Sequence, residues 1–200
     1  VQEWCREGVA QPWYRGRVGP GGVKGTDGHV RYRGSVSMNA VAKHLALGLD
    51  VRRATRVVGI VADGARWQVH CEHGDVLDAE ALVATAPVPQ ALELLAAGPT
   101  ELTSADDAAL RAIAYDPCLA LMVPMGEPSG LPDPGAIAPQ RGPIDWIADN
   151  RAKGISAGHG ITIHADAAFS AAHWDAPDAR VVDVLLRSVG ELIGAAPVPA

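Results

Sequence analysis

The stretch GSVSMNAVAKHLALGLDV, residues 34–51, passes from a glycine and two serines into an apolar periodicity, then leads without a long loop to the β-branched run TRVVGI, residues 55–60. Met38, Val41, Ala42, Leu45 and Leu49 recur at helical spacing. Ser37 is placed to cap the first turn and Gly48 to stop the last. A glycine and small residues ahead of a helix let a planar or anionic group approach the backbone, where the first amides favour negative charge. The same residues also suit an ordinary capped helix with Met38 in a core.

Beyond this helix, residues 55–87 read as strands broken by turns. Asp63-Gly64 is a hairpin signal. Trp67, Val69 and Cys71 alternate with polar neighbours, as a half-buried strand requires. The run Ala81 to Ala84 is apolar without alternation, which predicts a strand covered on both faces of a mostly parallel sheet. Pro87 and Pro89 stop it. QALELLAAG then predicts a short helix ending at Gly98, and Ser104 with Asp107 predicts a capping box for the next. CLALMVPM predicts a buried strand, and the proline and glycine density between Gly126 and Pro143 predicts a long irregular connection. IDWIADN and ITIHAD bracket a glycine-containing loop as an antiparallel pair. A closing helix follows from Pro177 to Ile193, with Val181, Val184, Leu185, Val189 and Leu192 along one face.

The 200 residues are 48% hydrophobic and 20% charged, enough apolar material for a sizeable core. A net charge of -6 gives no basic footprint for nucleic acid or an anionic membrane surface, so neither is expected as a partner. Three cysteines without C-x-x-C spacing suggest neither disulfides nor zinc, and fit a reducing cytoplasm. No apolar run approaches the roughly 20 residues a membrane span needs. His159 and His164 are the nearest thing to a metal pair, but no carboxylate accompanies them at ligand spacing, and no metal site is expected. Neither a G-x-S-x-G elbow nor a phosphate loop is present. The opening residues read as mid-helix, as in a piece of a longer protein.

Four segments, in order, carry a resemblance: SMNAVAKHLALGLDV, TAPVPQALELL, WIADNRAKG and TIHADAAFSAAHWD. Together they resemble the renalase-like NAD(P)/FAD-dependent oxidoreductases of the flavin amine oxidase superfamily, over nearly the whole chain. The fold so implied is α/β in the α+β sense, an antiparallel-sheet substrate domain with helices plus part of a Rossmann-like FAD-binding domain. Residues 1–34 and 99–200 would belong to the substrate domain and 35–98 to the FAD domain.

The resemblance implies FAD as cofactor, with Ser37, Met38 and Asn39 beside the flavin, Val57 at the adenine, and Pro87 among the cofactor contacts. Trp146, Asn150 and His164 would wall the substrate pocket, where an aromatic face can stack on a nicotinamide and an amide can fix its carboxamide. The implied reaction takes hydride from a reduced nicotinamide dinucleotide, an isomeric dihydro form included, and passes the electrons to O2 as H2O2. No protein acid or base is needed for that transfer, so no catalytic residue is assigned. Two alternatives stand beside it: a flavin-containing amine oxidase or desaturase of the same superfamily, and a cofactor-free truncated binding module. The G-x-G-x-x-G turn of dinucleotide-binding folds is absent from these residues, which are expected to be inactive alone. YDPCLALMV, residues 115–123, lacks the lysine that amine oxidases place beside the flavin.

Overall fold

The computed structural model describes residues 1–19, 21–24, 27–194, 197 and 199. They divide into two units, one made of residues 1–48 and 116–200 and the other of residues 49–115. Every strand pairing is antiparallel, and the fold class is α+β.

The first unit begins with α1 (Gln2–Arg6) and the strands β1 (Ala10–Arg15), β2 (Arg17–Gly19), β3 (Gly22–Lys24) and β4 (Val30–Gly34), followed by α2 (Ala40–Leu45). β1 pairs with β4, and β2 with β3. The chain enters the second unit through β5 (Val57–Asp63), β6 (Arg66–Cys71), β7 (Val76–Ala79), α3 (Val88–Ala97) and α4 (Ser104–Arg111). It returns with β8 (Ala120–Pro124), β9 (Ala136–Ile137), β10 (Ile144–Asp149), β11 (Gly160–Ala165), α5 (Ala167–His173) and α6 (Asp178–Ile193).

In the first unit the order β8-β11-β10-β9 makes a four-stranded sheet. Val123, Ile137, Ile147, Ile161 and Ile163 form its inner face, against Leu185 and Val189 of α6. Pro177 sits at the N-cap of α6 and Gly194 closes it in the left-handed conformation. Asp166 caps α5, its carboxylate accepting from the Phe169 amide at 2.6 Å. The Ser170 hydroxyl, fully buried, donates no anchor to solvent and instead accepts from the Leu119 amide at 3.0 Å, fixing the entry to β8.

The second unit is the meander β5-β6-β7 with α3 laid on it. Gly98 makes the close approach possible, since a Cβ there would lie 2.0 Å from the Ile60 carbonyl oxygen. Thr100 completes the joint: its hydroxyl donates to that same oxygen at 2.7 Å and accepts from the Ala62 amide at 2.9 Å.

Several expectations are corrected. The helix after Gly34 is shorter than its periodicity, and Met38 is 51% exposed rather than core. Its N-cap is Asn39, and the Ser37 hydroxyl bonds the Asn39 side chain instead of a helix amide. Gly34 serves the chain's own turn, because a Cβ there would fall 1.9 Å from the Ser37 carbonyl oxygen. Residues 81–84 form no strand and Val83 is 83% exposed, since no described strand offers the segment a ladder of partners. CLALMVPM is buried on one face only, with Met122 77% exposed. The cap of α4 is Thr103, accepting from the Asp106 amide at 3.1 Å, one residue ahead of the expected Ser104. The hairpin turn is Gly64-Ala65, with Asp63 the last paired residue. α2 stays with the first unit, and α4 lies beside α3 in the second.

Candidate functional site

Side chains on a strand alternate between the two faces of its sheet, and directly opposed residues of an antiparallel pair share a face. With Ile147, Ile161 and Ile163 committed to the core, Trp146, Thr162 and His164 point the other way. The register sets Trp146 opposite His164 and Ala148 opposite Thr162, and then Ala120 opposite His164 and Met122 opposite Thr162. Asn150, just past β10, joins them by donating from its side-chain amide to the Thr162 hydroxyl at 3.0 Å. The structure therefore gathers the three expected substrate residues, Trp146, Asn150 and His164, on one sheet face. That face is covered at β9, where Ala136 and Ala148 are buried, and open at β8, where Ala120, Met122 and Pro124 are exposed.

The covered end is closed by aromatic rings from β1. A bulge between Pro12 and Tyr14 breaks the β1–β4 register, which lets successive residues, Trp13 and Tyr14, both reach Trp146. The Trp13 ring lies edge-on to Trp146 at 6.1 Å, and the Tyr14 ring is nearly parallel to it at 6.5 Å. The Trp13 indole N–H donates to the Pro134 carbonyl at 3.0 Å, so the ring is held at both ends.

Around these rings sit three cations. Arg31 is paired with Asp27 through two bonds of 3.1 and 2.6 Å, which hold the Asp27 carboxyl far below the usual carboxylate range. Burial pushes the Tyr14 phenol above its ordinary 10.0, against a smaller opposing pull from Arg31. Arg33 donates to the Gly154 and Ser35 carbonyls at 3.1 and 3.3 Å and to Gln11 Oε1 at 2.7 Å. Lys153 carries its ammonium 4.8 Å from the centroid of Trp13, and burial, with Arg33 nearby, lowers it from the ordinary lysine value.

Asp149 shapes the turn that bears Asn150 and Lys153. Its buried carboxylate accepts from the Arg151 and Ala152 amides at 2.8 and 2.9 Å and from the Ser129 hydroxyl at 2.5 Å. The residues missed from sequence are Trp13, Tyr14, Arg33, Asp149 and Lys153. The aromatic pair at positions 13 and 14 was a visible signal, but nothing in the sequence ties it to a strand so far along the chain.

The expected cofactor residues lie in both units. Ser37, Met38 and Asn39 form the turn into α2, with Met38 and Asn39 exposed. The nearby Ser35 hydroxyl is buried without a hydrogen-bond partner among the described residues. Val57, in the other unit, lines an open depression of about 620 Å³ together with Thr55, Cys71, Leu77 and Arg52. Pro87 caps α3 and is exposed. An unpartnered hydroxyl beside exposed apolar surface, and a cleft with room for a purine, both suit an FAD contact. The grip on its pyrophosphate is supplied by no G-x-G-x-x-G turn in these residues. Among the described residues no group of three metal-ligating side chains occurs, and no helix is long and apolar enough to cross a membrane.

The profile of flavin containing amine oxidoreductases matches residues 3–199. The chain belongs to that family. The flavin containing amine oxidoreductases are flavoproteins, and FAD is their usual cofactor. Among solved structures, a provisionally assigned protoporphyrinogen oxidase of Exiguobacterium sp. 255-15 is similar, with 14% identity and a TM-score of 0.61 over 86% of this chain and 38% of its own. Putrescine oxidase bound to putrescine is similar at 13% identity and a TM-score of 0.63, over 82% of this chain and 36% of its own. The CLA-producing fatty acid isomerase from P. acnes is similar at 14% identity and a TM-score of 0.56, over 79% of this chain and 36% of its own. At such identities the likeness concerns the fold alone. The chain spans a little over a third of the length of these structures. No curated protein sequence matches it.

Proposed function

We propose that the protein to which these residues belong is an FAD-dependent, renalase-type oxidase of cytoplasmic, reduced nicotinamide dinucleotides. The observation that carries this reading is the chemistry of the open sheet face. Its register positions hold Ala120, Met122, Pro124, Trp146, Thr162 and His164, with Asn150 joined to Thr162 just past β10 and the exposed Asp145 in the bulge beside Trp146. The cations at its covered end are Lys153 and Arg33. A cationic amine would meet repulsion from those cations, whereas a planar nicotinamide with a phosphate-bearing tail meets a matching surface.

The reaction balances as hydride lost from the dihydronicotinamide, with O2 taking that electron pair, the hydride's own proton and one further proton from solvent to give H2O2. Bound FAD supplies the hydride acceptor and the route of electrons to oxygen. The chain's own residues orient and shield. Trp146 walls the ring site and excludes water, with Trp13 and Tyr14 behind it. The Asn150 amide, fixed by Thr162, is placed to hold a carboxamide. His164 lies open on the same face beside Ala120 of β8, whose residues Ala120–Pro124 include no lysine.

The family's own description supports a second reading, in which the substrate is an amine and this face packs on its apolar part. The two are separated by mixing the full-length, flavin-loaded protein anaerobically with dihydronicotinamide dinucleotides or with putrescine. Bleaching of the flavin absorbance by the dinucleotide, with Trp146→Ala and Asn150→Ala raising KM more than they lower kcat, is the expected result. Bleaching by the amine alone would overturn the dinucleotide reading in favour of the second. A full-length protein that releases no flavin on denaturation would leave only a cofactor-free binding role.

A further inference from the structure

Two of the three cations around the aromatic cluster have no acid to answer them. Arg31 is satisfied by Asp27. Among the described residues Arg33 spends its hydrogen bonds on neutral oxygens, those of Gly34, Ser35, Gly154 and Gln11. Lys153 offers three N–H donors and makes no side-chain hydrogen bond or ion pair among the described residues, its one charge contact being the face of Trp13. The nearest acid on its own turn, Asp149, has both carboxylate oxygens occupied by Ser129 and two backbone amides. Two like charges have thus been brought together and partly taken out of water, an arrangement that an anion relieves.

Their position gives that anion a place in a substrate. The Lys153 ammonium is 4.8 Å from the Trp13 centroid, which is 6.1 Å from that of Trp146, so it lies no farther than about 11 Å from the ring proposed to wall the nicotinamide. That is within the span of one nucleotide. Arg33 donates to the Gly154 carbonyl at 3.1 Å and so ties β4 to the turn that carries Lys153, where Gly154 takes a positive φ of 76°.

We propose that Lys153 and Arg33 form an anion subsite that takes a phosphate of the dinucleotide, with Lys153 as the group that binds it and Arg33 as the second charge and the brace of the turn. The identity of the anion as a substrate phosphate rests on the dinucleotide reading above, while the subsite itself does not. A charge-assisted bond to phosphate places the expected loss on removing Lys153 at about 10- to 100-fold in affinity. Because Lys153 stands over Trp13, its ligand alters tryptophan emission.

The test titrates the full-length protein with inorganic pyrophosphate and follows tryptophan fluorescence in wild type, Lys153→Met and Lys153→Arg. Lys153→Met keeps the apolar stem over Trp13 and removes the charge. The expected result is weaker pyrophosphate binding and a shallower salt dependence in Lys153→Met, with most of the affinity kept by Lys153→Arg and melting temperatures alike in all three. Equal pyrophosphate affinity in Lys153→Met and wild type overturns the subsite, and so does a wild type that binds no pyrophosphate. A parallel comparison of a dihydronicotinamide dinucleotide with a phosphate-free dihydronicotinamide riboside separates the two claims. Turnover of both with unchanged pyrophosphate binding in Lys153→Met refutes the subsite and spares the function. Turnover of neither, with pyrophosphate binding still lost in Lys153→Met, refutes the function and spares the subsite.

Discussion

Replacing Asp149 with alanine removes the acceptor around which the Asn150–Gly154 turn is built. Three donors lose their partner at once: the Arg151 and Ala152 amides and the buried Ser129 hydroxyl. A hydrogen bond to a charged acceptor contributes roughly 1.5–3 kcal/mol, and a buried donor left unpaired costs about as much. The two amides belong to exposed residues and regain water, so the full sum is not reached. A loss of about 3 kcal/mol is expected, or roughly 6–12 °C in melting temperature for a chain of this size. Asp149→Asn keeps an acceptor for the two amides and turns a donor toward Ser129, and is expected to cost about 1 kcal/mol. Urea unfolding of the three proteins, read by circular dichroism, measures both differences. Because the Lys153 amide also bonds the Asp149 carbonyl, the alanine variant should change tryptophan emission before the global transition. An Asp149→Ala protein within 1 kcal/mol of wild type, with unchanged emission, would show that the turn stands without its carboxylate.

Three further outcomes follow from the same structure. Leu185→Ala empties a fully buried position between α6 and the sheet, and should lower stability by about 2–5 kcal/mol in the same urea assay; a change near zero would mean that the helix does not depend on this contact. Thr103→Ala removes the cap of α4 and should cost about 1 kcal/mol, with Thr103→Ser restoring most of it. Burial holds Tyr14 protonated above pH 10.0, so the folded state keeps a proton that the unfolded chain has released, and stability falls as pH rises past 10. The tyrosinate difference spectrum of wild type minus Tyr14→Phe should have its midpoint above 10.0, and a midpoint at or below that value contradicts the burial argument.

What the sequence made legible follows from how local each signal is. α6 was readable to within a residue because sixteen residues repeat one apolar stripe and proline marks the start. The β10–β11 pair was readable because two strand-like runs flank a glycine-containing loop, with β11 alternating cleanly and β10 bulged between Ile144 and Trp146. The helix after Gly34 was over-read: its stripe is as regular as that of α6, yet Met38, Leu45 and Leu49 find nothing to pack on and stay exposed. Residues 81–84 failed for a related reason, since an apolar run specifies a strand only where neighbours complete the ladder. Trp146, Asn150 and His164 come from short segments that each carry their own pattern, and the structure sets them on one sheet face. Lys153 and Trp13 were not, because a cation resting on a ring is a relation between distant residues that leaves no spacing behind.

The division of labour within β11 has a consequence for how such a protein can change. Ile161, Ile163 and Ala165 are held by the interior, where only substitutions of similar shape and volume survive. His164, interleaved with them, stands exposed and Thr162 half-buried against the Asn150 side chain, so the fold constrains these two far less. A lineage built on this strand is therefore free to vary its outward residues one at a time while the inward residues keep the scaffold intact.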